Sequence, residues 1–583
     1  MLTQEMLNVE TRNEAYLDIL MFVQNKNIRI TDVSSNSTLS FSNLSSIIDL
    51  DQFSSNKLAT LERNLWLLDG TFFNPNKGQL YSGYISNDMS NDNGEFETNP
   101  KITLTLLQPY EVEYFSMVLN ASITDAYPKQ ITTKFLDKSG NVIKTITTDT
   151  ETVETLPNII LEVKAIDVKQ VEIEFVGTQV PHRRIRMSTA MFGKLETFTQ
   201  EQVTSSNVND KSSLVADSIA SRLFSFTLLN YDKKYNIDNP SNDLPVLDRS
   251  TEVMMRWGYN NDGLIEYTDM VHFRLLSVTS NEDNTVTFEC GSILDMMDMQ
   301  YDQDIYPGKR TVTEVVTQLL TFAGVPTDTV VYDAGFDTAI IDRPLPEMPV
   351  KELIQLCAFS CGATIMILDS GKIRFADLDL TVAKSSFTYD NFTSIPRAEQ
   401  LSYTYDIALT KTSSKVDSQE SQLTKVTVNT FQVSISYSAA MSPYVKSIVG
   451  GTVVNAKYYT THCELELNFT GDNCEIEIWG YKITTTTNTE KSATSSTLIL
   501  DSQLALNPSD KVKNKYKDWY SKRFKYVMST RGEPLVKATN VISIQSPFTV
   551  GMLGYVLANN ISFNGSWSGD MEVIALWVIQ ENT

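Results

Sequence analysis

The chain has 583 residues, which is enough for about three to five domains. Its residues are 42% hydrophobic and 10% aromatic, so several apolar cores can form and wholesale disorder is excluded. With 48 basic against 71 acidic residues the formal net charge is −23, and such a field disfavours specific binding of nucleic acid.

Residues 1–60 form the first distinct segment, which is polar and rich in serine and asparagine. Leu2 to Asn25 could hold a short helix, and the rest predicts an N-terminal arm that packs on another part of the chain. The first residues lack a basic region followed by an apolar core, so no signal peptide is expected. No long apolar run occurs either, and we therefore expect no transmembrane segment.

Residues 61–193 alternate apolar and polar residues in short runs. Ile102–Leu106 and Val171–Phe175 show the period of two that is typical of half-buried strands. Asp137–Gly140 has the composition of a hairpin turn. Short strands with turns between them predict a β-sandwich. The densest positive stretch of the chain, His182–Arg186, is expected to be a solvated strand face.

The strand pattern continues over 194–300. Four runs carry it, namely Phe224–Leu228, Val253–Trp257, Val271–Val278 and Thr285–Cys290. These runs predict a second all-β unit, of a size that suits a small β-barrel.

Residues 301–380 differ because they carry helical patterns. Thr311 or Thr313 is a suitable N-cap for a helix that closes at Gly324. A second helix is predicted from about Pro349 to Gly362, and a β-hairpin follows it. The segment is therefore predicted to be an α+β domain.

Residues 381–583 return to strand patterns. One helix interrupts them, predicted at about Ser509 to Met528, with Tyr516, Trp519, Tyr520 and Phe524 along one side. The sequence shows no tandem repeat.

The histidines and cysteines do not form a catalytic pattern. No H-E-x-x-H pair exists, so a zinc peptidase of that class is excluded. Cys463 is expected to be a core thiol although His462 adjoins it, because it lies in an alternating strand. His272 is expected to be a satisfied buried or interface imidazole. The odd total of five cysteines predicts reduced thiols.

Ligand sites receive equally little support. No pair among the 71 acidic residues stands out as the carboxylates of a glycosidase. Asp88–Glu95 offers oxygen ligands for calcium, but its spacing favours a plain turn, and Asp295–Asp304 is expected to be a solvated acidic linker. Aromatic candidates for sugar stacking in the sandwich are Trp66, Tyr81, Tyr84, Phe96 and Tyr127, of which Trp66 fits a core position better. We assign no catalytic, cofactor-binding or metal-binding residue and expect no cofactor.

The segment 221–300 contains strings of residues in a recognisable order. They are Arg222–Phe226, Leu229–Asn236, Asp238–Pro240, Val253–Tyr259, Phe273–Leu275, Thr285–Cys290 and Ser292–Asp295. This order of strand, polar turn, strand and closing strand resembles the opening of hub-type phage tail proteins.

The stretch 311–378 extends the same resemblance. In that family a helix ending in A-G-V precedes a proline-flanked extended segment, a second helix and a hairpin. The counterparts here are Ala323–Val325, Leu345–Pro349 and Gly362–Phe375.

Residues 61–193 look like the discoidin-like or carbohydrate-module-like sandwich found in tail proteins of phages of Gram-positive hosts. The strings that carry this likeness are Leu65–Phe72, Gly83–Ser86, Asp92–Phe96, Asn99–Ile102 and Phe192–Gly193.

These resemblances imply a domain organisation. The fold class is mainly β with an α+β insert: a β-sandwich, two hub-type β-barrels and an α+β domain. The expected divisions are 1–60 for the N-terminal arm, 61–193 for the discoidin-like β-sandwich, 194–300 for the hub β-barrel, 301–380 for the α+β domain and 381–583 for the second β-barrel with a helical insert.

The resemblance also implies a role, that of a non-enzymatic structural component of a phage tail tip or baseplate hub. Such a protein caps the tail tube and links it to host-recognition parts in virion assembly and host attachment. The implied partners are copies of the chain in a trimer, the tail tube, distal tail proteins, the tape-measure protein and host cell-wall carbohydrate. The implied location is the virion tail tip, after synthesis in the host cytoplasm. Two alternatives remain, a wall-binding adhesin acting through 61–193 and a tail-associated wall hydrolase.

Overall fold

The fold was analysed in a computed structural model. The structure describes residues 15–24, 27–39, 42–48, 62, 83–119, 127–153, 158–236, 239, 251–261, 264–402, 406–489, 497–501, 510–522, 524–545 and 552–576. Within these residues the predicted fold class is confirmed, since strands dominate and helices make a small part.

The first strand corrects an expectation. Ala15–Gln24 is strand β1, whereas a helix is predicted between residues 2 and 25, of which 2–14 and 25 lie outside the described residues. Leu17, Ile19 and Met21 are fully buried and alternate with less buried neighbours. The burial repeats every two residues, and both edges of the segment pair with neighbouring strands. Both features are those of a strand and not of a helix.

The next seven strands enclose one apolar core. They are β2 (Ile30–Ser35), β3 (Tyr84–Ile85), β4 (Lys101–Leu119), β5 (Gln130–Leu136), β6 (Val142–Asp149), β7 (Asn158–Val176) and β8 (Arg186–Thr199). The long strands β4 and β7 pair along most of their length, with register shifts between Thr105 and Tyr114. One half of β4 lies beside β2 and the other half beside β8. The two strands therefore pass from one layer to the other around a shared core.

A curved sheet follows the sandwich. Its strands are β9 (Val203–Lys211), β10 (Ser221–Leu229), β11 (Glu252–Asn261), β12 (Leu264–Tyr267), β13 (Val271–Ser280) and β14 (Thr285–Gly291). The pairing runs β8–β1–β11–β13–β14–β10–β9, with β12 as a side hairpin on β11. The two ends of this path are consecutive strands, joined by a turn in which the Gln202 amide donates to the Thr199 carbonyl. The sheet therefore wraps around one core like a barrel.

Aromatic rings fill the core of this first curved sheet. Phe226 stacks on Phe288 with ring centroids 4.8 Å apart, and Phe198 and Tyr235 pack against the same ring of Phe288. Aromatic pairs in these geometries stabilise beyond their buried area. The inward positions of every strand of the path contribute to this core.

The α+β segment matches its prediction closely. Its elements are β15 (Gln300–Tyr301), β16 (Arg310–Thr311), α1 (Val312–Phe322), β17 (Val330–Tyr332), β18 (Ile340–Ile341), β19 (Met348–Pro349), α2 (Val350–Cys361), β20 (Thr364–Ile367) and β21 (Ile373–Ala376). Of the two candidate N-caps, Thr311 is the cap and forms a capping box with Glu314. Helix α2 ends at Gly362, whose φ of 74° favours glycine.

A second curved sheet is built from two distant segments. Its strands are β22 (Ser385–Phe387) and β23 (Arg397–Gln400), and, far along the chain, β32 (Phe524–Thr530), β33 (Val541–Ile544), β34 (Met552–Phe563) and β35 (Trp567–Ala575). The pairing runs β22–β33–β34–β35–β32–β23, so again the path ends on consecutive strands. The far half of β34 pairs with β9, which joins the two curved sheets through one strand.

A β-rich insert lies between β23 and β32. Its elements are β24 (Asp406–Val416), β25 (Ser421–Val428), β26 (Gln432–Ser436), β27 (Ala440–Val449), β28 (Gly451–Tyr458), β29 (His462–Phe469), β30 (Cys474–Thr489), β31 (Thr497–Asp501) and α3 (Asp510–Tyr520). Much of it encloses a separate core centred on β29 and β30. The sequence predicted only a helical insert here and did not separate these strands from the second barrel.

Helix α3 confirms part of the predicted helix. Tyr516 and Trp519 are buried, and Tyr516 stacks on Phe359 of α2 at 5.1 Å. The predicted end at Met528 is wrong, because the chain from Phe524 onward alternates and pairs as strand β32.

Candidate functional site

Four charged side chains meet where the two curved sheets and the α+β segment join. Asp210 lies near the end of β9 and Arg222 near the start of β10. Asp369 lies in the turn between β20 and β21, and Lys537 lies between β32 and β33. We call these four residues the ionic junction. Each comes from a different element, so the junction exists only when the three parts are assembled.

Arg222 is the centre of the ionic junction. Its Nη1 donates to Asp369 Oδ1 at 2.8 Å and its Nη2 donates to Asp210 Oδ2 at 2.9 Å. The residue is only 3% exposed. A guanidinium suits this position because its planar group can donate hydrogen bonds to two carboxylates at once.

The carboxylates of the junction bind the other parts of the fold as well. Asp210 Oδ2 accepts the backbone amide of Ala538 at 3.1 Å, and Lys537 Nζ lies 3.3 Å from Asp369 Oδ1. The backbone carbonyl of Asp369 accepts the amide of His272 at 2.9 Å. Two positive and two negative charges therefore alternate beside a cavity of about 20 Å³, close to the space of one water molecule.

The electrostatics favour the charged state of the junction. Burial opposes the negative charge of Asp369, but the positive charges of Lys537 and Arg222 outweigh it and hold the pKa of the carboxyl below its ordinary value. Burial likewise opposes the charge of Arg222, yet Asp210 and Asp369 outweigh it and raise the pKa of the guanidinium.

The depressed pKa of Asp369 predicts a pH dependence of stability. Asp369→Asn should lower the melting temperature at pH 7 by about 2–4 °C, because 36% of the Asp369 side chain is exposed and solvent screens the pair. A lowered folded-state pKa stabilises the fold above the unfolded-state pKa, and this contribution is lost as pH falls through the folded-state value. Thermal melts from pH 7 to pH 3 should therefore show that the difference in melting temperature between the variant and the wild type becomes smaller as pH falls.

The exposed Asp472 provides a matched control for this measurement. Asp472→Asn should leave the melting temperature near that of the wild type at every pH. A difference in melting temperature between Asp369→Asn and the wild type that stays constant from pH 7 to pH 3 would contradict the ionic role of the carboxylate.

A second buried ion pair corrects the expectation of a solvated acidic linker at 295–304. Asp304 is 5% exposed, and its Oδ1 accepts from Arg310 Nη1 at 2.7 Å. Its Oδ2 accepts the amide of Leu345 at 2.8 Å, and its carbonyl accepts the amide of Thr460 at 2.7 Å. Asp304 therefore fixes the β-rich insert to the α+β segment.

The positive stretch His182–Arg186 is also not the solvated face that was expected. Arg183 and Arg186 are each only 8% exposed, and Arg186 pairs with the buried carboxylate of Glu62. His182 Nε2 lies 2.8 Å from Asp92 Oδ1. The stretch is therefore packed into the sandwich, and the alternation of apolar and polar residues does not predict this burial.

The histidines lie in separate parts of the fold. His182 belongs to the sandwich and His462 to the insert, while His272 lies in the first curved sheet with Nδ1 2.8 Å from Glu252 Oε1. The prediction of a satisfied imidazole at His272 is confirmed, since its side chain is 7% exposed.

The cysteines are buried, unpaired thiols. Cys463 is fully buried, which confirms a core thiol, and burial raises its pKa to about 12. A thiol with such a pKa stays protonated near neutral pH and is a poor nucleophile. Burial raises the pKa of Cys361 to about 12 as well.

Three of the five candidate sugar-stacking residues are described, and all three pack in or against the sandwich core. Tyr84 is fully buried and stacks on Phe175 at 6.0 Å, and Phe96 and Tyr127 pack against the sandwich core. Trp66 and Tyr81 lie outside the described residues.

The loop Asp88–Glu95 forms a turn in which Asn91 Oδ1 accepts the amides of Asn93 and Glu95. Within the described parts of the chain, no group of three or more His, Cys, Asp or Glu is placed to hold a metal ion.

Among the described helices, none is both long and apolar enough to cross a membrane.

Comparisons with known proteins found similar solved structures only. No protein family and no curated protein matches the chain. A tail protein from Neisseria meningitidis MC58 aligns at 8% identity and a TM-score of 0.37, over 66% of this chain and 94% of that one. The 43 kDa tail protein of prophage MuSo2 from Shewanella oneidensis aligns at 12% identity and a TM-score of 0.35, over 66% and 96%.

A third similar structure is the prophage tail protein gp18 from Listeria monocytogenes EGD-e. It aligns at 10% identity and a TM-score of 0.30, over 65% of this chain and 91% of that one. TM-scores of this size do not assign a role to the chain.

Proposed function

We propose that the chain is a non-enzymatic structural component of a phage-type tail tip or baseplate hub. The observation that carries the proposal is the pair of curved sheets joined through β34, with the α+β segment packed where they meet. The order of strands and helices over 221–378 agrees with the order in the hub-type tail proteins that the sequence resembles.

Two barrel-like sheets in one chain supply a physical route to a ring. Three chains arranged around an axis place six such sheets in a circle, which fits a sixfold tube on one side and a threefold tip on the other. The relative orientation of the two sheets must then be fixed within each chain. The ionic junction supports this requirement, because Asp210 of the first sheet accepts the amide of Ala538, which lies between β32 and β33 of the second sheet.

The proposed assembly is a homotrimer at the virion tail tip. It caps the tail tube, contacts distal tail proteins and the tape-measure protein, and links the tube to host-recognition parts. The sandwich is proposed to be discoidin-like and to face host cell-wall carbohydrate. The net charge of −23 supports passage of DNA without adhesion, because like charges repel.

Electron microscopy of the purified full chain tests the proposal. We expect a threefold ring with a central opening, and mass photometry should give three times the 65.6 kDa of one chain. A monomer without a ring, at concentrations up to tens of micromolar, would contradict the hub assignment.

A further inference from the structure

Asn559 of β34 lies beside the ionic junction and is only 2% exposed. Its Nδ2 donates to the backbone carbonyls of Glu533 and Val536, at 3.2 Å and 2.7 Å. Because both bonds need the amide nitrogen as donor, they fix which end of the side-chain amide is the oxygen. Asn559 Oδ1 therefore lies on the side of the amide group away from these two carbonyls.

The oxygen of this side chain is a buried acceptor. Among the described residues, none donates a hydrogen bond to Asn559 Oδ1. A buried amide oxygen that has left bulk water destabilises a fold unless another donor reaches it. The position of Oδ1 therefore indicates a further donor beside it.

Strand register places this acceptor next to the charged groups of the ionic junction. Asn559 is the direct partner of Asp210 in the pairing of β34 with β9. Asp210 is in turn the direct partner of Arg222 in the pairing of β9 with β10. Directly paired residues project on the same side of a sheet, with Cβ atoms about 4.5–5.5 Å apart. The three side chains therefore form one row across three strands.

The row borders the cavity of about 20 Å³ at the ionic junction. Asn559, Asp210, Arg222 and Lys537 all line this cavity. A water molecule needs about 10–15 Å³ of such space and two to four polar partners. The cavity therefore has room and partners for one water molecule, and it is too small for an organic molecule of several heavy atoms.

The charges of the ionic junction determine which small species fits. A cation would lie next to the positive charges of Arg222 and Lys537, and an anion would lie next to the carboxylate of Asp210. The two positive and two negative charges of the junction already balance, so a charged occupant would be buried without a counter-charge. The occupant is therefore neutral.

The row also requires an occupant that donates in two directions, because Asn559 Oδ1 and the carboxylate of Asp210 are neighbouring acceptors. Water meets this requirement, since it donates two hydrogen bonds and can accept others from a cationic side chain.

We propose that one ordered water molecule is bound in this cavity as a structural part of the chain. It donates to Asn559 Oδ1 and to the carboxylate of Asp210, and it accepts from Arg222 or Lys537. The water thereby joins β34 of the second curved sheet to β9 of the first through side chains, in addition to the backbone pairing of these strands. The inference concerns the single chain and does not depend on the proposed hub.

A high-resolution crystal structure of the full chain tests the proposal. We expect density for one water molecule within about 2.6–3.2 Å of Asn559 Oδ1 and of at least one of the charged groups that line the cavity. A cavity without density, or a protein donor bonded to Asn559 Oδ1, would overturn the proposal. Oxygen ligands around the peak at about 2.0–2.5 Å would identify a metal ion and would overturn it as well.

Val271→Ile gives a second test in solution. Val271 lines the cavity and is 3% exposed, so the added methylene can take the space of the water. Asn559 Oδ1 then loses its donor, and the melting temperature should fall by about 2–4 °C. A dry cavity gives the opposite sign, because a methylene that fills empty space gains packing contacts. A higher melting temperature of Val271→Ile than of the wild type would therefore overturn the proposal.

Discussion

Arg222→Ala is expected to lower the free energy of unfolding by about 3–5 kcal/mol, the range for breaking a buried ion pair from one side. The substitution leaves Asp210, which is 5% exposed, without its guanidinium partner. It also removes one of the two cations that hold Asp369. Urea unfolding followed by tryptophan fluorescence measures the loss.

Two variants control this experiment. Arg222→Lys keeps the positive charge but lacks the planar guanidinium, so its free energy of unfolding should lie between those of Arg222→Ala and the wild type. Lys372→Ala removes an ion pair to Asp328, whose side chain is 74% exposed, and should change stability by about 1 kcal/mol or less. Equal losses for Arg222→Ala and Lys372→Ala would show that the ionic junction does not stabilise the fold.

Phe288→Ala is the second substitution with a large expected effect, a loss of about 3–5 kcal/mol. Phe288 is fully buried, and the rings of Phe198, Phe226 and Tyr235 all pack on it. Alanine would leave a cavity that three large rings cannot fill without moving off their preferred rotamers. The midpoint of urea unfolding is the measured quantity.

Phe431→Ala is the matched control for Phe288→Ala. Phe431 is 67% exposed and touches Phe469 at the surface of the insert, so its loss should stay below about 1 kcal/mol. A similar effect of both substitutions would mean that the aromatic cluster is not the core of the first curved sheet.

Local signals in the sequence predicted local structure well. The N-cap of α1 is Thr311, one of the two predicted candidates, α2 ends at the predicted Gly362, and the predicted hairpin follows it as β20 and β21. Capping and turn formation depend on nearby backbone groups, so a short window contains the necessary information.

The ionic junction could not be predicted in the same way. Asp210 accepts a hydrogen bond from a backbone amide 328 residues further along the chain. In isolation Asp210 and Arg222 look like ordinary polar residues at strand ends. Their burial depends on the turn at Asp369 covering them, which no local pattern encodes. The burial of Asp304 also depends on other elements, since its carboxylate accepts from Arg310 and from the amide of Leu345.

The strand shared by the two curved sheets has a consequence for biosynthesis. On the ribosome, β9 emerges long before β34, and at the usual rate of translation the delay is on the order of tens of seconds. During that interval the outer edge of β9 lacks its partner strand, so the nascent first sheet is incomplete and open to wrong pairing. Completion of both sheets by one late segment makes their folding depend on translation through β34. A chain that ends before β34 therefore leaves the outer edge of β9 unpaired and the second sheet without its central strands.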